Sequence, residues 1–487
     1  MKKKLIVFGA LISISPLLYS FCGIYVSKSD GTLKNKASQV ILVRDGNKTK
    51  VTMYNDFKGN AKDFAMVVPV PVVLQKSDIR VVDQSVFQKL NDYSAPRLVE
   101  YFDQNPCNKN EAYKELSSAK ALDSENVTAG ASIAKRKYGV TIEAQYLVGE
   151  YDILILSARQ SGGLKQWLLQ NGYKIPEAAE EVLAPYIRSN MKFFVAKVNR
   201  QHIQNGQGNY LRPIQISFSS PKFMLPIRLG MANGDGDQDL VVYSFTKTGR
   251  VECVNYRNVE MPTGNKIPLF VKDNFDKFYN SVFAGKWSRE GKNIGLLEYA
   301  WDVSPVNYMK CDPCVGNPPS QQDLVQAGVW WLGRLPADYM DEAYDGNQQT
   351  YFTRMHFRYN RKNFPQDLVF QVTPNTQNFQ ARYVVTHPAT GDFSCEEGKR
   401  YLRELKNRRR QELRELVTLT GSTLSNYLED ANASNEEIEH VIDANYATLI
   451  PQVKEEMAQG RNGSGSMVLF SVLILSAAGV LRWKGLI

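Results

Sequence analysis

Residues 40–56 read VILVRDGNKTKVTMYND. Two β-rich runs flank Asp45-Gly46, and the glycine supplies the positive φ that a tight hairpin turn needs. The pattern continues outward in MVVPVPVVL (66–74), YGVTIEAQYL (138–147), YDILILSA (151–158), MKFFVAKV (191–198), PIQISF (213–218) and DLVVYSF (239–245). TRMHFRY (353–359) alternates strictly and is followed by DLVFQV and FQARYVV. In the 66–74 run, Pro69 and Pro71 lack N–H groups on the same side, which predicts an edge strand. Leu164, Trp167 and Leu168 have helical spacing and stop at Asn171-Gly172; Pro176 opens a second short helix through Ile187. Strands and short helices alternate without a βαβ rhythm, and no long period repeats. The expected class is therefore α+β, β-rich and mostly antiparallel.

The chain has 487 residues, 43% apolar and 22% charged, which is ordinary globular composition. Its formal charge is +9, but Lys2, Lys3, Lys4, Arg482 and Lys484 lie at the ends; the remainder carries 54 basic against 50 acidic groups. That excess is too small and too dispersed for a nucleic-acid footprint, and no nucleic-acid partner is expected. MKKKLIVFGALISISPLLYS, residues 1–20, has the basic start, apolar stretch and small final residue of a secretory signal peptide. No charged residue occurs between Arg461 and Arg482. This predicts a Gly/Ser linker over 459–466 and a transmembrane anchor over 467–483. Arg482 and Lys484 place its end on the cytoplasmic side and the bulk of the chain outside.

Between these ends the expected organisation is an ectodomain over 21–395, with a polar surface excursion over 103–136, and a charged helical stalk over 396–458. In the stalk, 13 of the 20 residues from Glu396 to Glu415 are charged. Ser394 with Glu397, and Ser434 with Glu437, read as capping boxes, and Gly421 as a helix stop. The basic run Arg408, Arg409 and Arg410 is a candidate contact for anionic lipid headgroups. Cys22, Cys107, Cys253, Cys311, Cys314 and Cys395 are all disulfide candidates in an exported chain, with pairing open.

The runs CGIYVSKSD, NKASQVILVRDG, FAMVVPVPVVL, SAPRLVEYFDQNPC, LKQWLLQNGYKIP, MLPIRLGMAN and KCDPC together carry a family resemblance. Over most of residues 22–395 the chain resembles an uncharacterised bacterial exported-protein family, domain of unknown function 2330. The resemblance implies bacterial export and one large domain. It brings no activity and no catalytic residues.

Three constellations carry potential chemistry. Cys311 and Cys314 form a CDPC dithiol, suited to a structural disulfide, redox cycling or half of a zinc site. Asn233, Asp235, Asp237 and Asp239 alternate as calcium ligands do, but Gln238 and Ser244 break the EF-hand pattern, and no resident metal or cofactor is expected. Arg354, His356 and Arg358 share one strand face and form a candidate anion-binding strip, or simply the wetted side of a sheet. Nucleophile-elbow, Walker, strand-linked dinucleotide and zinc-protease motifs are absent from the sequence.

The expected function is a membrane-anchored, extracytoplasmic, non-catalytic binding or structural module of the bacterial envelope, held by its C-terminal helix. Its expected partner is an anionic envelope polymer or a protein. The competing reading is an envelope enzyme, either a thiol oxidoreductase using the dithiol or a hydrolase with dispersed carboxylates. Removing residues 462–487 should release a soluble, secreted ectodomain; a truncated chain that still pellets with membranes after a carbonate wash would disprove the anchor.

Overall fold

The computed structural model describes residues 24–27, 34–58, 64–108, 131–132, 136–137, 140–173, 179–198, 212–232, 236–305, 317–333, 349–422 and 449–459. The signal and anchor segments, the CDPC dithiol, most of the 103–136 excursion and the 434–437 capping box lie outside these residues. The chain divides into two compact units: Met1–Ser94, Glu125–Val259 and Lys292–Phe379 form the first, and Ala95–Ser124, Glu260–Gly291 and Gln380–Ile487 the second. Among the described residues no helix is long and apolar enough to cross a membrane.

The first unit is β-rich. A nine-stranded sheet runs in the order Arg257–Glu260, Ile294–Asp302, Tyr351–Tyr359, Gln238–Thr246, Lys34–Asp45, Lys48–Lys58, Ile214–Ser219 and Ile79–Val81, with Phe379–Gln380 attached to Ile294–Asp302. A seven-stranded sheet follows the order Ile24–Ser27, Phe64–Val70, Lys192–Val198, Tyr151–Ala158, Val140–Val148 and Ala131–Ser132, with Arg136–Lys137 paired to Val140–Val148. Pairing is mainly antiparallel, but Gln238–Thr246 lies parallel to Lys34–Asp45. The hairpin read at Asp45-Gly46 closes one residue later, with Asp45 opposite Lys48 and Gly46 at φ 53°. A glycine at the first of two turn residues matches the right-handed strand twist.

The helices α1 (Ser85–Ser94), α2 (Ser161–Gln170), α3 (Ala179–Arg188) and α5 (Gln321–Ala327) belong to this unit. Leu164, Trp167 and Leu168 turn the buried face of α2 towards Phe193, Val195, Leu154 and Leu156 of the seven-stranded sheet. On the nine-stranded sheet Phe87 and Leu90 of α1 and Leu324 of α5 join Ile41, Tyr243 and Phe352 in one core cluster.

Phe64–Val70 is not an edge strand: Lys192–Val198 flanks it on one side and Ile24–Ser27 on the other. The reason is local. Ile24–Ser27 pairs only with residues 64–67, so Pro69 lies past the end of that partner and Pro71 past the end of the strand.

In the second unit Asn265–Lys266, Arg382–His387 and Arg97–Phe102 form a parallel three-stranded sheet. Against it lie α4 (Phe275–Arg289) and α6 (Glu396–Thr420), which contact each other. The expected stalk is thus, over Glu396–Thr420, part of a folded unit, with Leu405, Leu413, Leu416 and Leu419 buried. Its N-cap is Cys395, whose Sγ accepts from Gly398 N at 3.2 Å, while Ser394 turns to Asp392. Gly421 ends the helix in the left-handed region, as its sequence position suggests.

The arginine run is engaged within the protein, with Arg409 buried and its two neighbours half-buried. Arg408 pairs with Asp103; Arg409 is fully buried, donating to Glu412 at 2.9 Å and to the Thr386 carbonyl at 3.3 Å; Arg410 donates to Gln452.

Cys107 and Cys395 are joined across 288 residues of sequence. Cys253 instead carries a buried thiol, held by Asn255 Oδ1 at 3.3 Å, and burial pushes its pKa up. Non-reducing peptide mapping should recover the Cys107–Cys395 crosslink and an unpaired Cys253 that alkylates only after unfolding. Reduction should destabilise the second unit by roughly 2–5 kcal/mol in melts with and without reductant. Cys253 recovered in a disulfide would overturn the assignment.

Candidate functional site

Strand Tyr351–Tyr359 is buried on one face and mostly buried on the other, where His356 and Arg358 keep a little exposure. Met355, Phe357 and Tyr359 are 2% exposed or less on one side, and Arg354 is only 6% exposed on the other. The strip Arg354, His356 and Arg358 does share one face, but it is not a wetted surface. The neighbouring strand supplies its counter-charges. Leu297 pairs with Met355 and Tyr299 with Arg354, so Glu298 is the extra residue of a bulge. A bulge bends the strand and re-aims a side chain. Here Glu298, fully buried, accepts from Arg354 Nε at 2.6 Å through Oε2 and lies 2.9 Å from His356 Nδ1 through Oε1.

The opposite neighbour completes the line. Asp239, paired in register with Arg358, accepts from its Nε at 2.8 Å and its Nη2 at 2.9 Å. His356 Nε2 is 3.5 Å from Asp239 Oδ1, a long contact. Arg354 Nη1 also donates to Asn91 Oδ1 of α1 at 3.0 Å, and its guanidinium lies 5.4 Å from the Tyr243 ring centroid. Five groups of alternating sign therefore cross three strands. Burial pulls the His356 pKa down, but Glu298 and Asp239 outweigh it and hold it up at about 9. Burial pushes Asp239 up, and His356 with Arg358 more than reverses it, leaving the carboxyl well below its usual range. At neutral pH this imidazole is a cation, not a base. The strip's charge is met inside the protein, which removes the reason to expect an external anion there.

Of the calcium candidates, Asn233 and Asp235 lie outside the described residues. Asp237 accepts from Asn360 Nδ2, and Asp239 is committed to Arg358. Among the described residues no group of three potential ligands converges on a metal position.

An apolar space for a ligand lies between the two large sheets of the first unit. A cavity of about 280 Å³ is lined by Val51, Met53, Ile216 and Phe218 from one sheet and Val68 and Pro69 from the other. Met191, Met224 and Leu225 add to the wall, and five prolines (Pro69, Pro71, Pro185, Pro221 and Pro226) border it. A proline wall offers no N–H, and methionines adapt to irregular shapes.

The cavity's polar end is Asp367. It accepts from Tyr186 Oη at 2.6 Å and from the Ile227 and Arg228 backbone N–H groups at 3.0 and 3.2 Å. Arg228 adds Nε at 3.2 Å and Nη2 at 2.9 Å. With five donors, this carboxylate is an organising group whose acceptor positions are taken. Burial, then the Asp367 charge, raises the Tyr186 pKa well above normal, so the phenol stays protonated.

Sequence reading did not single out Tyr186, Arg228 or Asp367, because they are 42 to 181 positions apart and none belongs to a recognised catalytic spacing. One signal did exist. The runs FAMVVPVPVVL and MLPIRLGMAN, which carry the family resemblance, contribute Val68, Pro69, Pro71, Met224, Leu225, Pro226 and Arg228 to the cavity.

A family model described as an uncharacterised protein conserved in bacteria, domain of unknown function 2330, matches residues 16–371. Every lining residue of the cavity falls inside that span, whereas α6 falls outside it. No curated protein and no solved structure matches the chain.

The His356 network sets a pH dependence. A histidine whose pKa rises from 6.5 to about 9 on folding contributes stability fully below pH 6.5 and loses it as pH climbs through 9. The contribution is on the order of 3 kcal/mol. The stability difference between wild type and His356→Gln should therefore narrow between pH 6.5 and 9.5 in urea titrations; a constant difference would show that His356 is neutral.

Proposed function

The chain belongs to this uncharacterised bacterial family, and from that premise we propose that it is a membrane-anchored, extracytoplasmic binding module of the cell envelope. Its first unit holds an apolar group in the cavity between its sheets. The observation that carries this reading is the cavity itself, walled mainly by aliphatic, methionine and proline side chains, with Asp367, Arg228, Tyr186, Lys222 and two serines as its polar groups. At about 280 Å³ it approaches the lower bound of small-molecule sites and exceeds the ~150 Å³ apolar cavities that take up benzene. Anchoring rests on the uncharged segment before Arg482, and export on the N-terminal segment.

Binding, not turnover, fits the polar groups on hand. Asp367 is taken by Arg228 and Tyr186, and the His356 array holds its proton between two carboxylates. The competing reading, a thiol oxidoreductase at Cys311 and Cys314, would show itself as insulin reduction lost in Cys311→Ser.

The test is uptake of an apolar fluorophore by the secreted form lacking residues 462–487. Wild type should bind it saturably, and Ile216→Trp, which fills the cavity, should weaken binding by at least about tenfold at a stability cost of about 1–3 kcal/mol. Saturable binding unchanged in both Ile216→Trp and Met224→Trp would place the ligand elsewhere and remove the basis of the proposal.

A further inference from the structure

The two strands that wall the cavity carry a second surface on their other face. Val51, Met53, Ile216 and Phe218 point to the cavity. Strand alternation sends Lys48, Lys50 and Thr52, and Gln215, Ser217 and Ser219, the opposite way. The antiparallel register sets Lys48 opposite Ser219, Lys50 opposite Ser217 and Thr52 opposite Gln215. One strand further, Gln215 faces Arg80. Three cationic side chains and two hydroxyls thus lie on one face of three adjacent strands, with Lys48 and Lys50 on one side of the Gln215 strand and Arg80 on the other.

Trp330 lies over this patch. Lys48 Nζ is 4.9 Å and Lys50 Nζ 5.4 Å from the centroid of its ring, so two ammonium groups share one indole. Arg80 is held in place by neutral acceptors: its Nε donates to Gln215 Oε1 at 2.7 Å and its Nη2 to the carbonyls of Val325 and Gln326 at 3.2 and 3.3 Å. Gln215 is itself fixed by donating to Thr52 Oγ1 at 2.7 Å. Among the described residues no carboxylate pairs with Lys48, Lys50 or Arg80. Asp45, which faces Lys48 across the hairpin, is engaged by Lys247 at 2.7 Å. The contrast with the Arg354 strip is direct: there each cation has its carboxylate, whereas here like charges gather without one. The Lys50 ammonium registers this, since burial, then Arg80 and Lys48, lower its pKa to about 8.

We propose that Lys48, Lys50 and Arg80, with Ser217 and Ser219, bind the phosphate group of a phosphorylated ligand. Donors are presented on one face from three adjacent strands. A carboxylate presents two oxygens in one plane, whereas a phosphate monoester presents three in a pyramid and meets donors from several directions. Its double charge relieves the repulsion among the three cations, and Trp330 shields one side from water, which strengthens each contact. The site is independent of the cavity reading, because it uses the opposite face of the same strands.

The experiment is isothermal titration of the full-length chain in non-ionic detergent with inorganic phosphate, at matched ionic strength, with acetate as control. Saturable phosphate binding is expected, with acetate much weaker. Lys50→Met and Lys48→Met should each weaken it by about tenfold, the loss of one charge-assisted bond. Lys277→Met, at an exposed position of α4, should leave it unchanged. Arg80 and Lys48 are the charges that face Lys50, so wild-type affinity should fall from pH 7 to 9 as Lys50 deprotonates, and Lys50→Arg should remove that fall. Displacement by soluble glycerol phosphate would identify a free phosphate ester, and displacement only by phosphatidic acid vesicles a lipid headgroup. Absence of saturable binding, equal binding of acetate, or binding unaffected by both lysine variants would overturn the proposal.

Discussion

Glu298 is the residue on which the nine-stranded sheet depends. Strand Tyr351–Tyr359 is buried at seven of its nine residues and nearly so at the other two, yet it carries Arg354, His356 and Arg358. Buried cations of this kind are tolerable only with a fixed, hydrogen-bonded counter-charge. The bulge in Ile294–Asp302 places Glu298 between Arg354 and His356, and Asp239 serves Arg358 from the other side. Such a network adds little over an apolar core when complete, but losing one partner typically costs about 3–5 kcal/mol. It also fixes register, because a one-residue slip would move every charge to the apolar face.

Charge satisfaction separates structural from functional candidates in this molecule. The Arg354 strip and the Arg408–Arg410 run look like ligand sites in sequence because cations cluster there. In both, the cations meet partners within their own unit: Glu298 and Asp239 in the first, Asp103, Glu412 and Gln452 in the second. Lys48 and Lys50 draw no notice in sequence, being two lysines beside a hairpin turn, but their patch gathers positive charge without a carboxylate. The cavity obeys the same logic for apolar groups, since Asp367 is neutralised by Arg228 and the remaining wall asks only for a group that leaves water.

The second unit illustrates how a charge-rich helix becomes part of a core. Only a narrow leucine stripe marks the inner face of α6, so its composition resembles a solvated stalk. Arg409 lies inside that stripe with its counter-ion three residues on, and Asp103 meets Arg408 and Tyr401 from the segment after Arg97–Phe102. The Cys107–Cys395 bond ties that segment to the first turn of the helix. The Asp103 contacts and the disulfide span about 300 residues of chain, beyond any local pattern.

Sequence alone determined the identity of most elements, because period-two alternation, proline and glycine punctuation and helical spacing are local. The hairpin at 40–56, the strands at 151–158, 191–198 and 353–359, and the end of α2 at Asn171-Gly172 follow from those rules. Tertiary structure alone decided which strands are neighbours, and with that every site. Alternation places Arg354 and His356 on one face but cannot say that Glu298 lies across from them, nor that Gln238–Thr246 runs parallel to Lys34–Asp45. It sets Met53 and Ile216 on the inner face of their strands without revealing the second sheet that closes the cavity. A strand's own residues specify its two faces; the partner on each edge is chosen by burial and charge pairing summed over the whole chain.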